Sequence, residues 1–370
     1  MAGKDVTRRS FLRHAGVGVA GVAIGGPALL AACSKSTTAL REVRVFNEPL
    51  AIDDNTPNIF ERQSGVFLRY HEYTDPVAYL DDAAAALRAH RDIGADVAIL
   101  PDAQVAKMIA SGWAQPLPAA DAARSRAITN FANPGFDPGR KFSLPWSSTM
   151  VGLAFDRSRV HEPVRSVDAL FDAKFKGKVA LSADAASTLG LVALAAGNHP
   201  ASITAPQAAA AVSRVREAVG SGQVRSFATT EYVDDLVSGR ALLAVARADA
   251  IRDALAVSPS LAFVVPTEGG LLSSMNMVVP VGARNVAEAG VFVNDMFKPD
   301  PSSRFASYGN GLMAVVGASN SLYAIDPKAA ADPLVNPGPA VWQRLSIWNG
   351  GPPTDAATAE FAALVAANVR

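Results

Sequence analysis

The chain has 370 residues, 34 Lys and Arg against 34 Asp and Glu, a formal net charge of zero, 49 % hydrophobic residues and one cysteine. Balanced charge excludes the basic face that nucleic acid or an anionic membrane surface would demand. A lone cysteine excludes an internal disulfide and any metal site that needs more than one thiolate. The length exceeds what one hydrophobic core usually organises, so two domains are expected.

Taken in order, residues 7–33 read TRRSFLRHAGVGVAGVAIGGPALLAAC. Arg8 and Arg9, followed by Phe11, Leu12 and Arg13, resemble a twin-arginine export signal. The Gly/Ala/Val run behind them, broken by Gly16, Gly18, Gly21, Gly25, Gly26 and Pro27, suits a signal peptide better than a permanent membrane span. Leu30-Ala31-Ala32-Cys33 resembles a bacterial lipobox, with Cys33 as the site of lipid attachment. The expectation is a signal peptide over 1–33 and a polar tether over 34–40. The body is then held by acyl chains on the outer face of the cytoplasmic membrane. Processing removes Lys4, Arg8, Arg9, Arg13 and Asp5, leaving 30 basic and 33 acidic residues, a net charge of −3.

Hydrophobic patterning predicts strands at 43–46, 66–70 and 95–100 and helices at 58–64, 75–89 and 102–111. Residues 116–145, rich in Pro, Asn and Gly, have too little periodicity for regular elements. A strand at 150–155 leaves this first series. A second series follows, with strands at 178–181, 241–246, 261–265 and 277–280 and helices at 185–196, 205–219 and 286–297. Strands alternating with helices at this spacing imply a mainly parallel sheet covered on both faces, with the ligand site beyond the carboxyl ends of the strands.

Residues 137–156, DPGRKFSLPWSSTMVGLAFD, resemble a segment of the spermidine/putrescine-type solute-binding proteins of ABC importers. Further matches in register are NEPLAID at 47–53, GADV at 94–97 before Pro101-Asp102, VDALFDAKFKG at 167–177, VPTEGG at 265–270 and NVAEAGVFVNDMFKP at 285–299. The resemblance implies an α/β, two-lobed periplasmic-binding-protein-like fold of type II, with mainly parallel sheets, hinge crossings and a central cleft. It implies discontinuous lobes: 41–150 plus 277–322 as lobe 1, and 151–276 plus 323–370 as lobe 2. The C-terminal part, with Trp342 and Trp348, is expected to close on lobe 2.

The family encloses a polycation with aromatic faces and carboxylates, because a desolvated ammonium needs cation–π or charge-paired contacts. This chain departs from that pattern. Glu48 and Ala51 stand where the resemblance implies tryptophan and tyrosine, Pro101 and Ala103 replace a small hydroxyl and an aromatic, and Ala246 replaces another tryptophan. Ser273 and Met275 stand in place of a tryptophan and a central aspartate, and Ser187 in place of a glutamate. Asp102, Trp146 and Asp184 remain. The candidate ligand-binding residues are therefore Glu48, Asp102, Trp146, Ser148, Asp184, Ser187, Arg247, Asp249, Ser273, Met275 and Asn276.

Each has a plainer reading beside it. Asp184 and Asp102 precede helices and read equally as caps, Trp146 as a domain-interface anchor, and Arg247 with Asp249 as a surface pair. His14, His71, His90, His161 and His199 are scattered without metal spacing. The one G-x-G-x-x-G, at Gly16, Gly18 and Gly21, falls inside the signal-like run rather than between a strand and a helix, and no G-x-S-x-G or P-loop is present. An enzyme, a cofactor and a bound metal are not expected. The expected partners are a small solute, polyamine or a related small cation, and ABC permease subunits, with the protein a monomer. A binding protein for a non-polyamine solute and a sensor lipoprotein are the alternatives; ferric iron is disfavoured by the lack of an adjacent tyrosine pair.

Overall fold

The computed structural model describes residues 40–309 and 311–368. The export signal, Cys33 and all of the tether except Leu40 lie outside the described residues. The first series runs β1 (Glu42–Asn47), α1 (Thr56–Ser64), β2 (Phe67–Glu72), α2 (Pro76–Arg88), β3 (Val97–Pro101), α3 (Asp102–Ala110) and β4 (Ala114–Gln115). Short helices α4 (Asp121–Arg124) and α5 (Thr129–Ala132) and a 3-10 turn (Pro138–Arg140) lead into the long strand β5 (Ser143–Asp156). The second series is β6 (Val179–Ser182), α6 (Ala185–Ala195), α7 (Ala205–Gly220), β7 (Val224–Ala228), α8 (Tyr232–Ser238), β8 (Leu243–Arg247), α9 (Ala248–Leu255) and β9 (Leu261–Val264). Then come β10 (Gly270–Pro280), α10 (Val286–Met296), α11 (Pro299–Gly309), α12 (Ala318–Ile325), α13 (Pro327–Ala331), α14 (Pro339–Trp342), β11 (Leu345–Ile347) and α15 (Pro352–Asn368). Among the described residues no helix is long and apolar enough to cross a membrane.

The strands form one continuous sheet in the order β2-β1-β3-β10-β5-β8-β6-β7, with β4 and β11 on β10 and β9 on β5. Its flanks are parallel, β1 with β2 and β3, and β6 with β7 and β8. Its centre is not. β10 runs antiparallel to β3 and β5, and β5 antiparallel to β8 and β9. The sheet is thus mixed where a mainly parallel one is expected. The reason is that the chain crosses the middle in opposite directions on β5 and β10, and a chain that leaves and returns must present one strand of each sense.

Apolar side chains divide into two main cores. One gathers Val43, Val45, Ile99, Leu144, Met277 and Phe292, the other Val151, Leu153, Leu181, Val192, Val245 and Leu271. A satellite cluster of Tyr232, Leu236, Ile251 and Leu261 covers the other face of the second half. The division falls inside both crossing strands: Met150 and Leu272 pack in the first core, Val151 and Leu271 in the second. Ala329, Ala330, Val335, Leu345 and Ile347 also pack in the first core, with Trp342 against it. The chain enters the second core only at Trp348, followed by Ala357 and Phe361.

Pro145 and Trp146 sit at a β-bulge inside β5. Asn276 pairs with Pro145 and Met275 with Ser147, so Trp146 is the extra residue. A bulge tolerates a proline that cannot donate to the ladder and re-aims the neighbouring side chain. Here it turns Trp146 inward: the indole is 5 % exposed and stacks on Phe305 at 4.1 Å and Phe292 at 6.0 Å. The strand therefore begins at Ser143, seven residues before the expected start.

Asp96, at the entrance to β3, holds the first lobe's edge. Its buried carboxylate accepts from Arg44 Nη2 at 2.7 Å and from the Asn285 and Arg284 backbone N–H groups at 3.0 and 3.1 Å. Burial by itself would raise its pKa, but the bonds from Arg44 and Asn285 pull it down to about 2. Its contribution is thus complete above about pH 4 and is lost as the pH falls toward 2. Denaturant unfolding at neutral pH should show Asp96→Ala destabilised by about 3 kcal/mol, since Arg44 loses a buried partner. Trp146→Ala should cost about 4 kcal/mol in the same measurement; a variant with wild-type stability would contradict the assignment of Trp146 to the core.

Candidate functional site

The carboxyl end of β1 and the loop after it form one side of the site. Asn47, wholly buried, accepts the Glu48 N–H on its Oδ1 at 2.8 Å. Leu50 follows in left-handed backbone at φ 61, a conformation a branched side chain rarely adopts and one that stores strain. The loop is held from two sides: Leu50 N–H donates to Glu72 Oε1 at 3.3 Å and Trp146 Nε1 to the Ala51 carbonyl at 3.1 Å. Trp146 therefore shapes the site from inside the core without lining it.

Facing this loop, β8 ends at Arg247, whose backbone N–H donates to the buried Tyr232 hydroxyl at 3.1 Å. The Arg247 guanidinium grips Asp249 with two bonds, Nε to Oδ1 at 3.1 Å and Nη2 to Oδ2 at 2.5 Å. It keeps 47 % of its side-chain surface open. Glu48 lies within electrostatic reach across the boundary between the cores. Burial raises the Glu48 pKa, Arg247 counters that, and Asp249 adds to it. Burial would lower Arg247, yet the Asp249 and Glu48 carboxylates raise it overall.

The second group of charges lies over the middle of the sheet. Asp102, first residue of α3, accepts the Ser274 backbone N–H on Oδ2 at 2.9 Å and Asn276 Nδ2 on Oδ1 at 2.8 Å, both from β10. Burial pushes its pKa up to about 6; Arg140, Asn276 and Ser274 oppose that rise, and the Asp184 carboxylate adds to it. Asp184 caps α6, accepting Ser187 N–H at 2.8 Å and Ser187 Oγ at 2.5 Å. Capping and facing are compatible, because a carboxylate on an N-terminal N–H leaves one oxygen free. Gly190 lets α6 sit close on β10: a Cβ there would lie 2.6 Å from Leu271 Cδ1. That approach brings Asp184 within electrostatic reach of Asp102.

Of the candidates, Glu48, Asp102, Asp184, Arg247 and Asp249 are thus gathered where the two cores meet. Ser148 and Ser274 bond to each other through their hydroxyls at 2.8 Å and are buried. Ser187 is buried as the partner of Asp184. Ser273 is half-buried opposite Thr149. Met275, 8 % exposed, packs in the first core, and Asn276 is wholly buried. Trp146 and Met275 are both buried and pack in the first core.

Sequence reasoning missed Arg140, which is 1 % exposed and reaches Asn276 Oδ1 with Nη1 at 2.9 Å. Its backbone at φ 53, after Gly139 at φ 70, folds the side chain inward. The only local signal was the Pro-Gly pair before it, which marks a tight turn but not the direction of the next side chain. Two surface hollows lie elsewhere. One of about 280 Å³ is lined by Glu162, Arg165, Asp168 and Lys174, and one of about 680 Å³ by Gln63, Pro118, Gly290 and Lys298. Neither includes any of the gathered charges. Among the described residues no cluster of three or more His, Cys, Asp or Glu is placed to hold a metal ion.

A family model for bacterial extracellular solute-binding proteins matches residues 58–337. The chain is 25 % identical over 330 residues to a putrescine/cadaverine-binding protein of Pseudomonas aeruginosa, covering 84 % of this chain and 86 % of that one. Its fold is similar to that of the spermidine/putrescine ABC transporter substrate-binding protein of Streptococcus pneumoniae, with TM-score 0.72, 21 % identity, and 88 % and 98 % of the two chains covered. A putative spermidine/putrescine ABC transporter protein from Listeria monocytogenes gives TM-score 0.70, 20 % identity, and 88 % and 99 % coverage. The alternating strands and helices and the two crossing strands are those of a two-lobed binding protein, and the chain belongs to the bacterial extracellular solute-binding protein family.

Proposed function

We propose that this protein captures a short diamine, of putrescine or cadaverine size, between its lobes and delivers it to the permease subunits of an ABC importer. It works outside the cytoplasm as a binding protein and not as an enzyme, as its family membership implies. The observation that carries the ligand reading is that Asp102, held on β10, and Asp184, capping α6, lie within electrostatic reach of each other. An ammonium between these carboxylates relieves the repulsion that disfavours ionised Asp102. Glu48, grouped with Arg247 and Asp249, offers a carboxylate for the other end, and Arg247 there opposes a third positive charge. The curated relative's name points to the same ligand class.

The lobes are best bounded by the cores: 41–150 with 272–347, and 151–271 with 348–368. A ligand touching both lobes favours the closed form by its differential affinity, and the permease then reads the closed population. Glu48, Ala51, Ala103, Ala246 and Ser273 replace the aromatic walls that the family resemblance implies. Each aromatic–ammonium contact contributes about 0.5–2 kcal/mol, and each 1.4 kcal/mol is about a tenfold change in affinity. Titration calorimetry should therefore give one-to-one putrescine binding that is micromolar rather than submicromolar, with spermidine no tighter. Asp102→Asn and Asp184→Asn should each weaken it about tenfold or more. Submicromolar binding that survives both changes would overturn the reading. Arg247 favours a second reading, a solute with a carboxylate beside its ammonium; amino acids titrated in the same way test it.

We also propose export by the twin-arginine route, anchoring through Cys33, and a monomeric body. The support is the order of the arginine pair, the weakly apolar run and the lipobox-like residues. Cys33→Ser should abolish labelling by a radioactive fatty acid and release the body from the membrane; labelling equal to wild type would refute the anchor. Arg8→Lys with Arg9→Lys should block export.

A further inference from the structure

Arg140 is 1 % exposed and does not itself reach a solute between the lobes. A buried guanidinium is costly unless its donors are met. Nε donates to the Phe131 carbonyl at 2.6 Å, and Nη1 to Ser143 Oγ at 3.2 Å and Asn276 Oδ1 at 2.9 Å. Nη2 has no partner among the described residues. The bond to Asn276 has a directional consequence. A carboxamide has one accepting end and one donating end. With Arg140 on the oxygen, the nitrogen must face Asp102, and Nδ2 donates to Asp102 Oδ1 at 2.8 Å. A flipped amide would set an NH₂ against the guanidinium and an oxygen against the carboxylate, two repulsions at once.

We propose that Arg140 is a positioning residue for solute binding: through the locked Asn276 amide it keeps the Asp102 carboxylate ionised and fixed in place. The inference rests on the reading of this site as one for a cation. The charges that face Asp102 are Arg140 from the 3-10 turn and Asp184 from the start of α6, and Ser274 N–H and Asn276 come from β10. Arg140 in turn faces Asp137, which is buried and accepts Ser143 N–H at 2.8 Å. Arg140 and Asn276 both stabilise the ionised form of Asp102, so removing either raises its titration midpoint. A cation that needs the carboxylate then loses affinity first at the acid end of the range.

The test follows the Asp102 side-chain carboxyl carbon by NMR, assigned with Asp102→Asn, over about pH 5 to 8, alongside putrescine calorimetry over the same range. In wild type the midpoint is expected at about 6. In Asn276→Ser and Arg140→Met it should rise by about one unit, and putrescine affinity should fall about tenfold at the acid end and less at the alkaline end. Arg140→Lys, which keeps the charge and loses the fork, should recover part of the shift. A purely structural Arg140 would lower unfolding temperatures and leave the Asp102 midpoint in place, which overturns the proposal. If Arg140→Met does not fold, Arg140→Lys decides: a midpoint left at the wild-type value in every folded Arg140 variant overturns the proposal. A shifted midpoint without putrescine binding by wild type supports the lock and overturns the diamine reading. An unmoved midpoint with binding intact overturns the lock alone.

Discussion

The pairing of β5 with β10 is the constraint on which the rest of the structure depends. The two strands are antiparallel partners from Ser143–Val278 to Val151–Leu271, and each carries residues of both main cores. The parallel flanks attach to this ribbon, β3 to β10 on one side and β8 to β5 on the other. Because the ribbon's hydrogen bonds run unbroken past the division between cores, the lobes are joined by ordered strands rather than by loose linkers. Motion between them is then a bend of a two-stranded ribbon, the kind of limited hinge that couples ligand contact on two faces to one closed geometry. The same ribbon supplies Ser274 and Asn276 to Asp102, so the hinge and the centre of the site share residues.

Charge is concentrated where the cores meet, and that placement has an electrostatic reason. A carboxylate deep in an apolar core would simply protonate, whereas one at a cleft can be ionised when a cation arrives. Asp102 is held between these limits by burial on one side and by Arg140, Asn276 and Ser274 on the other. Asp96 shows the contrast within the same lobe. Fully paired by Arg44 and the Asn285 backbone, it is locked in its ionised form and serves structure alone. The difference between a structural and a responsive carboxylate here is the completeness of its pairing rather than its depth.

The tryptophan that the sequence offered as an aromatic face is packed in a core. Trp146 stacks with Phe292 and Phe305 inside the first core and supports the β1–α1 loop through one hydrogen bond. With Arg247 bonded twice to Asp249 and lying across from Glu48, discrimination in the proposed reading comes from the number and spacing of charges. Charge spacing is a length ruler for a flexible dication, while an aromatic wall grips methylenes and ammonium ends alike.

Local periodicity in the sequence was enough for most flanking strands and helices, because β1, β3, α2, α7 and α10 each carry a regular apolar pattern over their own length. Segment order and family-like motifs determined the two-lobed α/β class and the solute-binding family. The residue types Asp102, Asp184, Glu48 and Arg247 were legible as candidates from their places at strand ends. Their grouping was not. A proline before Trp146 read locally as a break, and only the cross-strand register reveals a bulge that turns the indole inward. Strand β7, the short helices α8 and α9 and the segment 323–347 were unreadable or misallotted because their stability comes from packing on neighbours far away in sequence. Arg140 was invisible for the same reason: its partner Asn276 is 136 residues away. Sequence by itself determined most of the flanking elements and most of the charges offered at strand ends. Tertiary structure alone decided which of those charges face each other, since that depends on pairing between distant strands and on which side chains the two cores exclude.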